Sequence, residues 1–128
     1  MNLLLDAHAF LWWMINDLRL SRRAYRVVSD PANRVFLSAA AAWEFATKHR
    51  LGKLPEAVNV LPRFRISLAE VRIDSLPISL DHALAAGAYT IPHRDPFDRL
   101  IAAQGEIEGM AIVTNDRAFR QFPVETIW

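Results

Sequence analysis

Asn2-Leu3-Leu4-Leu5-Asp6, at the head of the chain, is a short apolar run stopped by an acid. An unalternating run of this kind suits a strand buried on both faces, and such strands belong to parallel sheets. Three further runs repeat the pattern: Val35-Phe36-Leu37, 73–76 and 110–113, with 124–127 as a final short strand. Helical periodicity fills the intervals. Phe10, Leu11, Met14 and Ile15 mark a helix over 8–16, and Ser21 caps a second over 22–29, which Asp30-Pro31 ends. Ser38 stands as N-cap to a long helix over 39–50, with Gly52 where a C-terminal glycine belongs. The stretch 55–71 is helical in part, interrupted at Pro62, and 79–88 is another helix. Asp95-Pro96 opens the clearest helix of the second half, with Phe97, Leu100, Ile101, Gln104 and Ile107 at helical period, and 116–121 is a short helix. Strands alternating with helices predict one α/β domain over 1–128 whose central parallel sheet is covered on both faces.

Composition narrows the chemistry. The chain has 128 residues, 52% hydrophobic and 23% charged, as expected of a globular domain rather than a disordered one. Fifteen Lys+Arg against fourteen Asp+Glu leave a formal charge of +1, so attraction to a polyanion must come from local patches. No cysteine is present, which excludes disulfides, thiolate metal sites and thiol catalysis and fits a reducing, cytoplasmic setting. The apolar run 9–15 is too short to span a bilayer, and the first residues lack the basic n-region of a signal peptide; no membrane association is expected. His8, His49, His82 and His93 show no zinc-ligand spacing, and neither a nucleophile elbow nor a glycine-rich phosphate loop occurs.

The acids fall in telling places. Asp6 follows the first strand, Asp116 follows Ala111-Ile112-Val113-Thr114-Asn115, Asp98 sits in the first turn of the Asp95-Pro96 helix, and Glu44 lies inside the 39–50 helix. Ligands of an open parallel sheet bind in the crevice outside the carboxyl ends of its strands, where Asp6 and Asp116 belong. Several carboxylates in one crevice repel each other unless a hard cation lies among them, and such cations serve phosphodiester hydrolysis. Each acid also has a plain structural reading: Asp6, Asp95 and Asp116 as helix N-caps, Asp98 as a favourable charge at a helix start, and Glu44 as an i,i+4 partner of Lys48 on a solvated face.

Four stretches together resemble the PIN-domain nucleases, in particular the VapC-like toxins of bacterial toxin–antitoxin pairs. They are Leu3-Leu4-Leu5-Asp6-Ala7-His8; Ser38 through Lys48 with Leu51-Gly52-Lys53-Leu54; His93-Arg94-Asp95-Pro96-Phe97-Asp98-Arg99-Leu100-Ile101; and Thr114-Asn115-Asp116-Arg117-Ala118-Phe119. The resemblance runs end to end and implies a three-layer α/β/α fold. It implies that Asp6, Glu44, Asp98 and Asp116 are metal-binding, catalytic carboxylates of a Mg²⁺- or Mn²⁺-dependent endoribonuclease. It further implies a homodimer and a cognate antitoxin. Asp95 shares the neighbourhood of the third acid, and Thr114 and Asn115 are auxiliary candidates. Arg94 and Arg99, flanking that acid, are candidate RNA contacts. Alternatives from the residues themselves are a binding protein with an inactive pocket, or a metal-dependent DNA nuclease or phosphatase. Gly105, inside the last long helix, departs from the small helix-former expected there and predicts a close backbone approach. Trp12, Trp13 and Trp43 are assigned to core or interface packing before base stacking.

Overall fold

The computed structural model describes residues 1–128. Five strands, β1 (Asn2–Leu5), β2 (Arg34–Ser38), β3 (Ile73–Leu76), β4 (Ala111–Val113) and β5 (Thr126–Ile127), form one sheet in the order β3-β2-β1-β4-β5. Every neighbouring pair is parallel, with Leu3, Leu4 and Leu5 of β1 opposite Val35, Phe36 and Leu37 of β2 and opposite Ala111, Ile112 and Val113 of β4. The leucine triplet has no exposed surface, because a central strand between two partners is covered on both faces.

Six α-helices connect the strands: α1 (Ala7–Met14), α2 (Arg22–Ser29), α3 (Ala39–Arg50), α4 (Phe64–Glu70), α5 (Leu80–Ala88) and α6 (Pro96–Glu108). Their starts are capped as the sequence requires. Asp6, Ser21, Ser38, Ser79 and Asp95 each accept a backbone N–H from the first turn of the helix that follows. Gly52, just beyond α3, and Gly109, at the end of α6, take left-handed backbone angles of +74° and +65° in φ. The 55–71 stretch resolves into 3₁₀ turns at Pro55–Asn59 and Leu61–Arg63 followed by α4, so the interruption at Pro62 is real. The predicted helix at 116–121 is instead a 3₁₀ turn, Arg117–Gln121, a length at which the tighter winding is common.

Gly105 has the role its sequence position predicts. A Cβ there would lie 3.2 Å from Ile112 side-chain carbons and from the Met110 carbonyl oxygen, so α6 rests close upon β4. The tryptophans divide between core and surface. Trp12 is buried against Trp128, half-buried Trp13 packs on Tyr25, and Trp43, 56% exposed, meets Phe97 edge-to-face at 4.6 Å. That last pair clamps α3 to α6 beside Glu44 and Asp98.

Candidate metal centre

The sheet order reverses direction at β1: the chain runs outward through β2 and β3, then returns to place β4 on the other side of β1. A parallel sheet opens a crevice at such a switch point. Asp6 is the first residue beyond β1, and Thr114-Asn115-Asp116 directly follow β4. Glu44, from the second turn of α3, and Asp95 and Asp98, from the start of α6, reach the same crevice. A small cavity of about 60 Å³ is lined there by Asp6, His8, Glu44, Lys48, Asp95, Asp98 and Asp116.

The tightest cluster within it is Glu44, Asp95 and Asp98, which each offer an oxygen within 4.8 Å of the others. Glu44 is 4% exposed and Asp98 7%, unusual burial for carboxylates held this close together. Asp6 is oriented on both oxygens: the Ala9 N–H donates to Oδ1 at 2.7 Å and the Thr114 hydroxyl to Oδ2 at 2.5 Å. The same hydroxyl oxygen accepts the Asp116 N–H at 3.0 Å, so buried Thr114 ties the first acid to the last. Asp95 accepts the Phe97 and Asp98 N–H groups, and exposed Asp116 accepts that of Ala118. His93 Nε2 lies 2.8 Å from Asp98 Oδ2 and donates to it when the carboxyl is ionised.

The charges show the strain of this arrangement. Burial, then the neighbouring Asp95, Glu44 and Asp116, push the Asp98 carboxyl up to about 7, against the opposing pull of the His93 hydrogen bond. Burial also raises Asp6, with Glu44 adding to it and the Thr114 and Ala9 hydrogen bonds opposing. Lys48 enters as the one resident ammonium of the cavity, with Nζ 2.6 Å from Glu44 Oε2. Burial works against its charge, but the Glu44 hydrogen bond and the fields of Glu44, Asp95 and Asp98 outweigh it and raise the amine. Hard oxygen donors, buried, crowded and held by N–H and O–H groups, match what Mg²⁺ or Mn²⁺ requires. The donor set therefore fits a divalent cation.

All four expected acids line the cavity, and Asp95 joins the tight cluster as well as capping α6. Glu44 does pair with Lys48, yet inside the pocket rather than on a solvated face. Asn115 is exposed and faces an adjoining cavity. Arg94 is exposed, whereas Arg99 requires a correction. Its guanidinium donates to the carbonyls of Ala86, Tyr89, Ile91 and His93 at 2.6–2.9 Å. It staples the 86–93 segment to α6 and is not presented to a polyanion. His93, which had no distinguishing signal as a loop histidine, owes its position against Asp98 to that staple.

The model of the PIN domain family matches residues 3–125, and the chain belongs to that family. It is 30% identical to Ribonuclease VapC22 of Mycobacterium tuberculosis over 99% of this chain and 98% of that protein. A shorter match, 44% identical, joins 47% of the chain to 41% of Ribonuclease VapC16 of the same organism. Among solved structures, VapBC2 from Rickettsia felis bound to a promoter DNA fragment superposes with a TM-score of 0.69 at 16% identity, covering 100% of this chain and 99% of that one. FitAcB from Neisseria gonorrhoeae does so at 0.65 and 20% identity, covering 98% and 96%. At these identities the structural likeness speaks for the fold. No helix of the chain is long and apolar enough to cross a membrane.

Proposed function

We propose that this chain is a metal-dependent endoribonuclease that acts as the toxin of a toxin–antitoxin pair. The carrying observation is the buried cluster of Glu44, Asp95 and Asp98, with oxygens within 4.8 Å of one another, at the switch point of a PIN-family sheet. Support for the RNA substrate comes from the full-length likeness to a ribonuclease.

Asp6, Glu44, Asp98 and Asp116 would hold Mg²⁺ or Mn²⁺, with Asp95 as an adjacent oxygen donor. A divalent cation held there would supply Lewis acidity toward a water and the phosphate. The protein's own part is orientation. Thr114 and the Ala9 N–H fix both oxygens of Asp6, His93 fixes one oxygen of Asp98, and Lys48 compensates the buried charge of Glu44. With no serine or cysteine lining the acid cavity, in-line hydrolysis by water is the chemistry these groups suit. Arg94, exposed beside Asp95, would meet the strand entering the pocket.

The same reading assigns a partner surface. A groove of about 620 Å³ between α1 and α2 is walled by Trp12, Trp13, Leu20 and Tyr25, with Leu18 98% exposed at its rim. It suits an apolar segment of a cognate antitoxin. Self-association as a homodimer is supported by the exposed apolar side chains of Leu80 and Leu84 on α5.

Purified protein, free of antitoxin, incubated with total cellular RNA in Mg²⁺ or Mn²⁺ is expected to give discrete fragments. EDTA or Asp6→Asn should abolish them. Intact RNA from folded protein, with cleavage of DNA or a phosphate monoester instead, would establish a different hydrolase. No cleavage of any of them would favour a binding protein with an inactive pocket, or a nuclease for one rare RNA.

A further inference from the structure

We infer that a second cavity, beside the acid pocket, is a basic subsite for the nucleotide flanking the scissile phosphodiester of single-stranded RNA. This inference rests on the ribonuclease reading and joins Arg117, from the last of the four resembling stretches, to Arg23, Arg120 and Trp128, which lie outside all of them. The cavity measures about 320 Å³ and is lined by Arg23, Arg117, Arg120, Thr114, Asn115, Asp116, Thr126 and Trp128.

Three observations carry it. The first is convergence. Arg23 comes from the first turn of α2, while Arg117 and Arg120 come from the 3₁₀ turn after β4. A 3₁₀ winding has three residues per turn, so side chains three apart eclipse and these two arginines share one side. Asp116 is the one carboxylate among these three arginines, so an excess of like charge remains that an anion would relieve.

The second is that these cations are free. The protein's ion pairs engage Arg19, Arg34, Lys48, Arg63, His82 and His93. Arg99 is consumed by backbone carbonyls. Arg23, Arg117 and Arg120 are exposed and stand outside all of these contacts, leaving their planar N–H forks available to phosphate oxygens.

The third is adjacency. Asp116 lines both cavities, and Thr114, which donates to Asp6 on one side, also lines the basic cavity. A strand whose phosphate lies over the acids therefore continues directly onto the arginines. The half-buried indole of Trp128, the sole apolar lining residue, gives a wall for the ribose or base. An acid pocket repels a polyanion, and a net charge of +1 gives no long-range attraction. A local cationic site next to the acids supplies the missing attraction.

The test measures equilibrium binding of a fluorescently labelled, mixed-sequence single-stranded RNA to the full chain in EDTA, where cleavage does not interfere, over a range of NaCl. Two lost single-strand phosphate contacts reduce the slope of log affinity against log salt by about 1.4. Arg117→Gln with Arg120→Gln should show that reduction and bind about tenfold more weakly at moderate salt. The matching Lys pair should keep most of the slope, since charge is retained. In Mn²⁺ the Gln pair should raise KM with kcat little changed, a split that general loss of structure would not give. Wild-type slope and affinity in the Gln pair, alongside a wild type that cleaves RNA, overturn the subsite and leave the nuclease standing. A wild type that neither binds the probe nor cleaves RNA overturns both.

Discussion

Asp98→Asn should make the metal-free protein more stable at mildly alkaline pH, although it removes a residue of the proposed metal site. Asp98 is buried beside Asp95, Glu44 and Asp116, and its carboxyl stands at about 7 instead of 3.8. Between those two values the folded state holds a proton that the unfolded chain releases. Stability contributed by this group is therefore complete at low pH and falls as pH rises toward the folded value. Each pH unit of the interval corresponds to about 1.4 kcal/mol, which sets a ceiling of about 4 kcal/mol on the penalty of ionised Asp98. Solvent at the pocket mouth and the lost strength of the His93 hydrogen bond reduce the net effect to about 2 kcal/mol. For a chain of this size that is a rise of about 5–8 °C in Tm. The assay is a thermal melt of both proteins in EDTA at about pH 8 and about pH 5, with the difference between them as readout. The gap should be full at the higher pH and shrink to roughly a third of that at the lower, where folded Asp98 is protonated and only the ionisation of the unfolded carboxyl still separates the two proteins. A variant that melts with or below the wild type at the higher pH, or a gap indifferent to pH, would refute the reasoning.

The order should reverse when Mn²⁺ is added at the higher pH: the wild type gains about 2.7 kcal/mol at a hundredfold excess over Kd, and Asp98→Asn gains much less, read as a smaller metal-dependent Tm shift. Arg99→Met should cost about 2–4 kcal/mol, because four carbonyls of the 86–93 segment lose their donor, and amide exchange should speed up there. Lys48→Met should lower stability in EDTA by about 1–3 kcal/mol by leaving buried Glu44 uncompensated, and calorimetry should show tighter Mn²⁺ binding, since no ammonium competes for that carboxylate. Thr114→Val keeps the side-chain shape but removes the bridge between Asp6 and the Asp116 N–H; kcat should fall, read in a single-turnover assay, with a stability loss of about 1–3 kcal/mol.

Residues with a strong local reason for their conformation were legible from sequence. The leucine triplet can only be a doubly buried strand, and each Ser or Asp before a helix has a backbone N–H to accept. The Pro96 start of α6 and Gly52, just beyond the end of α3, are likewise set by local backbone preference. What sequence could not give was the destination of long side chains. Arg94 and Arg99 flank the same motif, yet one is exposed and the other staples four carbonyls, because the course of the 86–93 loop decides it. His93 could not be told from an idle loop histidine without that loop. Arg117 and Arg120 have helical spacing for ordinary solvated arginines; only the packing of α2 and Trp128 beside their turn makes a cavity of them.

The acids also show why capping and metal binding are not competing readings here. Asp6, Asp95 and Asp116 each cap the turn that follows while lining the shared cavity. A cap orients a carboxylate against backbone N–H groups, which fixes its rotamer and supports its charge. A crevice at the carboxyl ends of parallel strands is also where the following helices begin, so capping residues collect there by topology. The fold thus supplies several pre-oriented carboxylates as a by-product of starting its helices. Glu44 and Asp98, which cap nothing, are the two that require a separate explanation. Both are buried, and each is held by one side-chain partner, Lys48 or His93. Burying two uncapped carboxylates near a third lowers the stability of a metal-free chain, and a divalent cation among them is the compensation that the arrangement calls for.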